Sequence, residues 1–598
     1  MMKKLYILFF IALSSILYVG CADDYLESEP LNKISSAAVF ENEGYAKALL
    51  SDIYSYMPNG FGWESIGHKG RGLGRRSFLD CTTDLIANKS GYVEAWHYVN
   101  YGQTPTNGQQ FSNWEENYTA IFECNTFIDG IEGSSLSSNS NMQLMKTEAR
   151  FLRAFFYFDL VRRYGAVPLI TEVPDITDVD ALYKSRTPET DVYDFIDTEF
   201  EEVAEALPFA KDMNVAGSEW GRICKEAAWG FHGRMLLHAK RYAKSAVMSK
   251  KVIDAVNEGT SDRTMEPDYQ KLFVSEGNNK EVLFEILFDG VNKGGTVDNF
   301  SRPPSNRGTW GGQHNPTEDL VASYELANGL PATVANGHDP HDPYKNRDPR
   351  LEQTVIHHGS TFYGGVTYDL AWVYDASNST WGPIKNTDAP HAQGLATITG
   401  YYLKKFMSEE VTAFDFGQSK QSWIVLRLGE VYLNYAEAQN EAVGPDQTVY
   451  DAINVVRNRS NMPNLEVNYP GLDPDGMFKR IQHERKVELA FEGHRFWDIR
   501  RWRIGADVCN GSVPVNPAAP EEGGYMSCCY ALKQDDGTIL YLTPSTMDDV
   551  LAPGDKLAKD PYTNTRRTYI WDDKNYLMPI PQSALDKNPE LKEQNPGY

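Results

Sequence analysis

The segment TEARFLRAFFYFDLVRRYGAVP, residues 147–168, constrains the fold more than any other part of the sequence. Its large apolar residues form two neighbouring stripes at helical spacing. One stripe is Phe151, Phe155 and Phe158, and the other is Leu152, Phe156 and Leu160. A helix that is apolar over so wide an arc has to lie between other helices, because one buried face would leave the second stripe in water. Arg162 and Arg163 suit the negative end of the helix dipole, and Gly165 favours the end of the helix. The sequence therefore predicts a scaffold of several packed helices.

Helical spacing recurs in other blocks of the chain. In residues 111–131 one helix face carries Trp114, Tyr118, Ile121 and Asn125. A further helix is predicted over residues 189–206. Residues 221–256 and 422–463 each predict two helices joined by a short turn, with small residues such as Gly230 at the contacts. Such helical hairpins resemble tetratricopeptide units.

Long segments rich in Gly, Pro, Asn and Trp separate the helical blocks. The helical scaffold is expected at about 36–58, 111–260 and 422–502, and the loop-rich parts at about 59–110, 270–420 and 503–575. Loops of such length are uncommon in a domain unless they have a function. Short strands are predicted within them, at residues 281–288 and 399–406.

The N-terminus has the pattern of an export signal. Two lysines precede an apolar stretch over residues 5–19, which is shorter than the roughly 20 residues of a membrane-spanning helix. Cys21 follows this stretch closely, as in signals that end at a lipid-accepting cysteine. We therefore expect residues 1–20 to be a lipoprotein signal peptide and Cys21 to be lipidated. Residues 21–598 are then a single domain that is tethered to a membrane.

Composition narrows the class of protein. Lys and Arg number 57 against 82 Asp and Glu, and the net charge of −25 repels phosphate backbones, so nucleic-acid binding is not expected. The hydrophobic fraction of 41% is that of a globular protein. Neither a CxxC pair nor a Cys/His spacing suited to zinc is present, and no cofactor is expected. Most cysteines are predicted to be small buried residues, with disulfide pairing left open.

The segment ERKVELAFEGHRFWDIRRW, residues 484–502, has a density of ionisable groups that would suit an active site. Glu484, Glu488 and Glu492 recur at every fourth position, which predicts one face of a single helix. Two glutamates side by side on one helix do not easily enclose a sugar ring, as the two carboxylates of a glycosidase must. The expected partners of the acids are the basic residues of the same segment, Arg485, Lys486, Arg495, Arg500 and Arg501. We therefore interpret this segment as scaffold rather than as a catalytic site.

Several segments together resemble the SusD/RagB family of surface lipoproteins, which capture nutrients for TonB-dependent transporters. The matching segments follow the order of the family and are 147–169, 346–351 (NRDPRL), 424–442, 453–463, 484–502 and 576–598. The resemblance implies a mainly α-helical, SusD-like fold, in which about four tetratricopeptide-like helix pairs support a large loop-rich region with short strands. It also implies a non-enzymatic lipoprotein on the outer face of the outer membrane, with a SusC-like TonB-dependent transporter as its partner.

Aromatic residues in the loop-rich segments are the candidates for holding a sugar. An exposed indole covers the apolar face of a sugar ring, and neighbouring polar groups satisfy the hydroxyls. The resemblance also implies that loops within residues 82–103 and near position 300 face the ligand. The predicted ligand-binding residues are Trp96, Trp310, Tyr98, Asn88, Gln313, Trp63 and Arg71. Packing in the core stays the alternative for Trp96 and Trp310.

A metal site is the less favoured interpretation of HDPHDPYKNRDPR, residues 338–350. Two histidines and two aspartates at its start are possible metal ligands. Each of these aspartates precedes a proline, a pattern that favours turns. The resemblance makes NRDPRL a structural segment, and we predict no metal here.

The sequence as a whole predicts a protein that captures an oligosaccharide and passes it to a transporter. Three alternatives stay open: peptide binding as in some RagB-like members, a surface glycosidase, and a protein adaptor built on helical repeats. A charged pocket in place of an aromatic platform would favour peptides. Release of reducing sugar would indicate an enzyme, and an adaptor would not retain glycans.

Overall fold

We describe the fold from a computed structural model of the protein. It describes residues 39–61, 79–88, 95, 98–99, 102–107, 111–175, 177–213, 220–277, 279–291, 294–295, 297–306, 311–339, 342–368, 370, 372–375, 380–383, 388, 396–409, 418–509, 530–533, 539–542 and 571–598. In these residues no helix is both long and apolar enough to cross a membrane. The predicted signal peptide and Cys21 lie outside the described residues.

Ten helices of nine residues or more form the scaffold in the described part of the chain. They are α1 (Glu43–Tyr54), α2 (Trp114–Glu132), α3 (Ser140–Tyr164), α4 (Glu189–Ala206), α5 (Lys225–His238), α6 (Tyr242–Asn257), α7 (Leu428–Ala442), α8 (Gln447–Arg459), α9 (Pro474–Glu488) and α10 (His494–Trp502). Shorter helices are Val179–Leu182, Tyr269–Phe273, Val297–Ser301, Glu318–Val321, Arg350–Thr354, Leu465–Asn468, Gly505–Cys509 and Gln582–Lys587. The mainly α-helical fold is confirmed.

The strands are short, and all but one lie in the segments predicted to be rich in loops. The exception is the strand Trp423–Arg427, which occupies the start of a segment predicted to be helical, so the helix prediction is wrong for these five residues. They are β1 (Ile86–Asn88), β2 (Val282–Ile286), β3 (His314–Pro316), β4 (Val355–Ile356), β5 (Thr361–Phe362), β6 (Val366–Thr367), β7 (Trp372–Asp375), β8 (Thr380–Pro383), β9 (Tyr402–Leu403), β10 (Trp423–Arg427), β11 (Tyr530–Lys533) and β12 (Ile539–Leu542). Antiparallel pairs join β1 to β3, β2 to β10, β4 to β9 and β5 to β6. The strand order β12-β11-β7-β8 makes a four-stranded sheet, in which β11 and β7 are parallel.

Helix α3 is the buried helix that the opening segment predicts. It begins after Asn139, whose side chain accepts hydrogen bonds from the backbone N–H groups of Asn141 and Met142. All six residues of the two apolar stripes are buried. Gly165 follows the last turn with φ of 68°, a conformation that strains residues with a side chain.

The long helices pack largely in chain order. Helix α2 packs against α3, α3 against α4, α4 against α5, and α5 against α6. Helix α7 then contacts α6, α8 and α9. Where α5 meets β10, an added Cβ at Gly230 would lie 2.7 Å from the side chain of Leu426, so this position requires a residue without a side chain. The helices therefore form one continuous scaffold on which the loop-rich segments are carried.

The segment ERKVELAFEGHRFWDIRRW forms parts of two helices and not one. Helix α9 ends at Glu488, and α10 begins at His494. Between them Phe491 and Gly493 adopt positive φ angles of 70° and 80°, which turn the chain. The prediction of one helix face for all three glutamates is therefore wrong, because Glu492 lies in the turn.

A buried set of charges, here called the central charge network, holds the three glutamates close together. Its members are Glu281, Glu325, Asp348, Glu484, Glu488 and Glu492 with Arg350, Lys405, Arg427, Arg457, Arg459 and Arg480. All of these side chains except that of Arg480 are at most 3% exposed. The guanidinium of Arg427 lies 2.8 Å from a carboxylate oxygen of Glu488 and 2.7 Å from one of Glu492. Six acids and six bases thus balance one another inside the scaffold.

The predicted partners of the glutamates are wrong. All three glutamates are nevertheless buried in ion pairs, as the interpretation of the segment as scaffold predicts. Arg485 pairs with Asp498 at 3.0 Å, and Arg495 pairs with Asp84 at 2.8 Å. The bases of the central charge network come instead from elements distant in sequence, such as β10 and α8. Basic residues of α10 are turned towards other acids because the chain bends before that helix begins.

The network keeps its carboxylates ionised in spite of their burial. Burial raises the pKa of Glu484, but the guanidinium groups of Arg350 and Arg457 outweigh it and hold that pKa at about 2. Burial acts on Glu488 in the same direction, and three arginines again lower its pKa. These carboxylates therefore have no proton to donate near neutral pH, which general acid catalysis would require.

Asp80 is a buried carboxyl group whose pKa is raised rather than lowered. It lies in the turn Leu79–Thr82 and accepts a hydrogen bond from the backbone N–H of Gly493 at 3.0 Å. Its other carboxylate oxygen has no hydrogen-bond partner in the described chain. Burial raises its pKa from 3.8 to about 7, against the opposing effects of Gly493 and Lys405. Ionisation of this group is therefore unfavourable in the folded protein.

Replacing Arg427 by methionine is expected to lower the free energy of unfolding by about 3–5 kcal/mol, because Glu488 and Glu492 would lose a shared partner inside the protein. Urea unfolding followed by circular dichroism measures the change. Arg241→Met is the control, since Arg241 is 30% exposed, its partner Asp194 is 66% exposed, and its other partner Asp197 keeps a salt bridge with Lys244. That control is expected to cost at most about 1 kcal/mol. Equal losses in the two variants would contradict a dominant role for the network.

Asp80→Asn is expected to flatten the pH dependence of stability. The raised pKa means that the contribution of Asp80 is fully present below pH 3.8 and is lost as pH rises through about 7. At 1.36 kcal/mol per pKa unit, the native protein loses on the order of 4 kcal/mol from this group, most of it between pH 4 and pH 7. Urea unfolding at pH 5 and pH 8 should show the part of this loss that falls above pH 5, about 3 kcal/mol, in the native protein and not in the variant. The same slope in both proteins would mean that Asp80 is not the titrating group.

Candidate functional site

The antiparallel pair of β1 and β3 brings the two predicted ligand segments together. Asn88 at the end of β1 pairs with His314 at the start of β3, and Ala87 pairs with Asn315. These strands are more than two hundred residues apart in sequence. We call the pair and its flanking helix Val297–Ser301 the β1–β3 junction. The segment with Trp96 follows β1 in the chain, and the segment with Trp310 precedes β3.

The β1 side of the junction is fixed to the C-terminal helices of the scaffold. Asp84 accepts hydrogen bonds from the guanidinium of Arg495 at 2.8 and 2.9 Å and lies 3.1 Å from the ammonium of Lys486. Burial raises the pKa of Asp84, but these two cations outweigh it and lower the pKa well below its usual range. The hydroxyl of Thr317 donates to the backbone carbonyl of Asp84 at 2.5 Å, which links the strand pair to the same point.

Polar side chains fix the β3 side of the junction through hydrogen bonds. Ser301 and the Nδ1 atom of His314 lie 2.9 Å apart, within hydrogen-bond distance. The side-chain carbonyl of Asn315 accepts from the backbone N–H of Ile398 at 3.0 Å, and its amide donates to Gly312 at 3.2 Å. Buried polar groups that are satisfied in this way give a rigid base for the segments beside them.

Gln313 has hydrogen-bonding capacity that the described chain does not use. It is 6% exposed, and its side-chain oxygen has no hydrogen-bond partner among the described residues. Within the part of the chain that the structure describes, its side-chain nitrogen reaches only the carbonyl of Gly311, at 3.5 Å. A buried amide oxygen without a partner is unfavourable, because it has lost water and gained nothing in return. The side chain is therefore suited to hydrogen bonds with a bound molecule.

A second group of polar and aromatic side chains lies beside the junction. The guanidinium of Arg302 is 4.7 Å from the ring centre of Tyr363, which follows β5. The turn Pro304–Asn306 places the backbone N–H of Ser305 on the carboxylate of Asp388 at 2.7 Å. Burial raises the pKa of Asp388, while the contact with Ser305 opposes that change. Rings and hydrogen-bonding groups thus occur together here, as sugar recognition requires.

Sequence reasoning did not find Arg302, Tyr363 or Asp388. The hairpin of β5 and β6 that carries Tyr363 has a signal, since two consecutive glycines, Gly364 and Gly365, mark its turn. Arg302 and Asp388 lie in segments without periodicity, and no local pattern places them near each other.

Tyr98 is part of the core and has no surface for stacking with a sugar. Its side chain is 4% exposed, and its ring packs edge-on against Phe111 at 5.5 Å between centres. The guanidinium of Arg500 donates to its hydroxyl at 2.6 Å. The expectation of an exposed Tyr98 is wrong, because the chain returns to the scaffold at this residue.

The remaining predicted residues divide into two groups. Asn88 belongs to β1, and its backbone pairs with His314. Trp96, Trp310, Trp63 and Arg71 lie outside the described residues, and their roles stay predictions.

The histidines and aspartates of HDPHDP do not assemble into a metal site in the part of the chain that the structure describes. No group of three or more His, Cys, Asp or Glu side chains with a suitable arrangement occurs in the described residues. His341 lies outside them. Further along this segment, Arg350 of NRDPRL is buried and binds Asp348 at 2.7 Å and Glu484 at 2.6 Å, which confirms a structural role for it.

Comparison with protein families gives two matches that together extend over most of the chain. The first is described as the SusD family and matches residues 280–598. The second is described as starch-binding and associating with the outer membrane, and it matches residues 25–237.

Individual relatives agree with these matches over nearly the whole length of the protein. SusD-like protein P2 of Formosa agariphila is 26% identical over 521 residues, which are 86% of this chain and 94% of that protein. A crystal structure of a SusD-like carbohydrate binding protein from Bacteroides fragilis is 25% identical and aligns with a TM-score of 0.72, over 93% of this chain and 100% of that one. Another SusD-like protein from Bacteroides fragilis is 23% identical with a TM-score of 0.70, over 96% and 100%. From the family matches and the shared fold, the chain belongs to the SusD family.

Proposed function

We propose that this protein binds oligosaccharides at the cell surface and delivers them to a SusC-like TonB-dependent transporter. The observation that carries the proposal is the β1–β3 junction, which joins two tryptophan-bearing segments that are far apart in sequence. A similar fold is present in a protein named as carbohydrate-binding at 25% identity, and one family match is described as starch-binding. Both support a sugar as the ligand.

The chemistry proposed for the site is stacking combined with hydrogen bonding. The indoles of Trp96 and Trp310 cover the apolar faces of sugar rings, and Gln313 and Asn88 supply hydrogen bonds to hydroxyls. Covering about 100 Å² of apolar surface contributes about 2.5 kcal/mol at roughly 25 cal/mol/Å². A few such contacts give reversible binding, which suits a protein that has to release its ligand to a transporter.

In the proposed function the protein binds oligosaccharides and does not cleave them. The acids that resemble a catalytic pair, Glu484 and Glu488, are buried in the central charge network and hold no proton near neutral pH. They therefore serve the fold and not hydrolysis. Lipidation at Cys21 would keep the domain on the outer membrane, with which one matching family is described as associating.

Trp96→Ala and Trp310→Ala are each expected to weaken oligosaccharide binding about tenfold or more, because each removes one stacking surface. A glycan array followed by isothermal titration with the best-bound glycan measures the change. Tyr45→Ala is the control, since Tyr45 is an aromatic residue on α1 that is 48% exposed. Unchanged affinity in both tryptophan variants would contradict the proposed site, and release of reducing sugar from the bound glycan would contradict binding without cleavage.

Gln313→Met is expected to separate stability from binding. The variant keeps the length of the side chain but removes a buried amide whose oxygen has no partner in the described chain, so thermal stability should be equal or higher. Affinity for the same glycan should fall about fivefold or more, since a hydrogen bond to the sugar is lost. Calorimetric melting and isothermal titration measure the two effects. A loss of stability with no change in affinity would assign Gln313 to the fold alone.

A further inference from the structure

An open groove of about 440 Å³ lies between α2 and the short helix Gln582–Lys587 near the C-terminus. None of its lining residues belongs to the β1–β3 junction. Its size is within the range of about 300–1,000 Å³ that is typical of small-ligand sites. The groove therefore has room for a ligand that is separate from the one proposed above.

The floor of the groove is aromatic and rigid. The ring of Trp114 lies 5.1 Å from that of Tyr118 and packs edge-on against Tyr164 at 4.9 Å, between ring centres. The hydroxyl of Tyr118 donates to the backbone carbonyl of Pro168 at 2.9 Å, which fixes the direction of its ring. A ligand that binds this floor does not have to order it, and such preorganisation favours affinity.

Phe122 extends the aromatic surface along one wall. It lies four residues after Tyr118 on the same helix face, and its side chain is 49% exposed. Exposure of half a phenyl ring beside a groove leaves apolar surface in water that a ligand would cover.

Both walls also carry polar groups. Glu115 and Thr119 are on the α2 side, and Ser583 and Lys587 are on the opposite side. Glu115 and Lys587 are both exposed, and the carboxylate and the ammonium are therefore available as acceptor and donor. The hydroxyl of Thr119 donates to the backbone carbonyl of Glu115 at 2.8 Å and keeps its acceptor capacity.

We infer that this groove is an accessory binding site for neutral oligosaccharides. Sugar rings present apolar faces to Tyr118 and Phe122 and hydroxyls to the groups on the walls, while the buried ring of Trp114 supports Tyr118. An aliphatic chain or an apolar protein side chain fits less well, because it would remove Glu115 and Lys587 from water without giving them partners. The inference rests on the proposed function to the extent that both assign a carbohydrate ligand to the protein.

Two sites on one chain have a consequence for long glycans. When one part of a polysaccharide is bound at the β1–β3 junction, another part that reaches the groove binds at a raised effective concentration. A polysaccharide is therefore held more tightly than its short oligosaccharides, and loss of either site weakens that advantage.

Lysine footprinting measures whether the groove is occupied, through the acetylation of Lys587. The protein is acetylated with a limiting amount of acetyl-N-hydroxysuccinimide, alone or with maltoheptaose, laminarihexaose, cellohexaose or xylohexaose, and modified lysines are counted by mass spectrometry. At saturation with at least one of these sugars, labelling of Lys587 is expected to fall about threefold. Lys592, whose side chain is 69% exposed, is the internal control and should not change.

Variants separate this inference from the proposed function. Protection of Lys587 should persist in the Trp96→Ala/Trp310→Ala double variant and disappear in Phe122→Ala, with Tyr45→Ala as the matched exposed aromatic control. If Lys587 stays protected and the tryptophan variants bind the glycan as tightly as the native protein does, the proposed function alone is overturned. The accessory site would be overturned if none of the four sugars protects Lys587. It would also be overturned if an outer-membrane protein extract protects Lys587 and the sugars do not.

Discussion

The central charge network is the constraint on which the rest of the structure depends. Each of its side chains is costly to bury alone, because a charge that leaves water needs partners of opposite sign. Glu488 shows the requirement most clearly, since it contacts Arg350, Arg427 and Arg459 at once. These residues come from a short helix, a strand and two long helices that are separated in sequence. The motifs that looked like independent features of the chain are therefore parts of one interaction, and none of them can be satisfied without the others.

The network also determines where the loop-rich part can be attached. The turn that ends at Gly493 and the helix that follows present groups to the β1 region: Gly493 donates to Asp80, and Arg495 binds Asp84. At the other end of the same segment Arg500 binds Tyr98. The segment between β1 and Tyr98, which contains Trp96, is thus held at both ends by the C-terminal helices. Under the proposed function, variation within this segment would change the ligand surface while both of its ends stay fixed, which is the usual relation between a rigid core and its binding loops.

Much of the fold could be predicted because helical periodicity is local. The two stripes of α3 are visible in a window of a few turns, and Gly165 indicates where that helix ends. The break between α9 and α10 could not be predicted in the same way, because a sequence with apolar and charged residues at helical spacing satisfies one helix as well as two. The ion-pair partners of Glu488 could not be predicted from the sequence either. They depend on tertiary packing, and no spacing within the segment points to Arg350 or Arg427.

The candidate site was predictable only in part for the same reason. Gln313 and Asn88 are predicted because they are polar residues near aromatic ones, and the pairing of β1 with β3 brings Asn88 opposite His314, the residue after Gln313. Tyr98 is predicted as an aromatic residue of the same segment, but its surroundings are made by Phe111 and Arg500, which are not its neighbours in sequence. Arg302 and Asp388 were missed because each lacks a local pattern. Composition identifies the residue types that bind sugars, whereas burial decides which of them are available.

The most direct test of the account is a crystal structure of the protein in complex with the best-bound oligosaccharide from the glycan array. The account predicts sugar rings at the β1–β3 junction, stacked on the indoles of Trp96 and Trp310, with a hydroxyl within hydrogen-bond distance of the side chain of Gln313. A complex in which the junction is empty and the sugar lies only on another surface of the protein would contradict it.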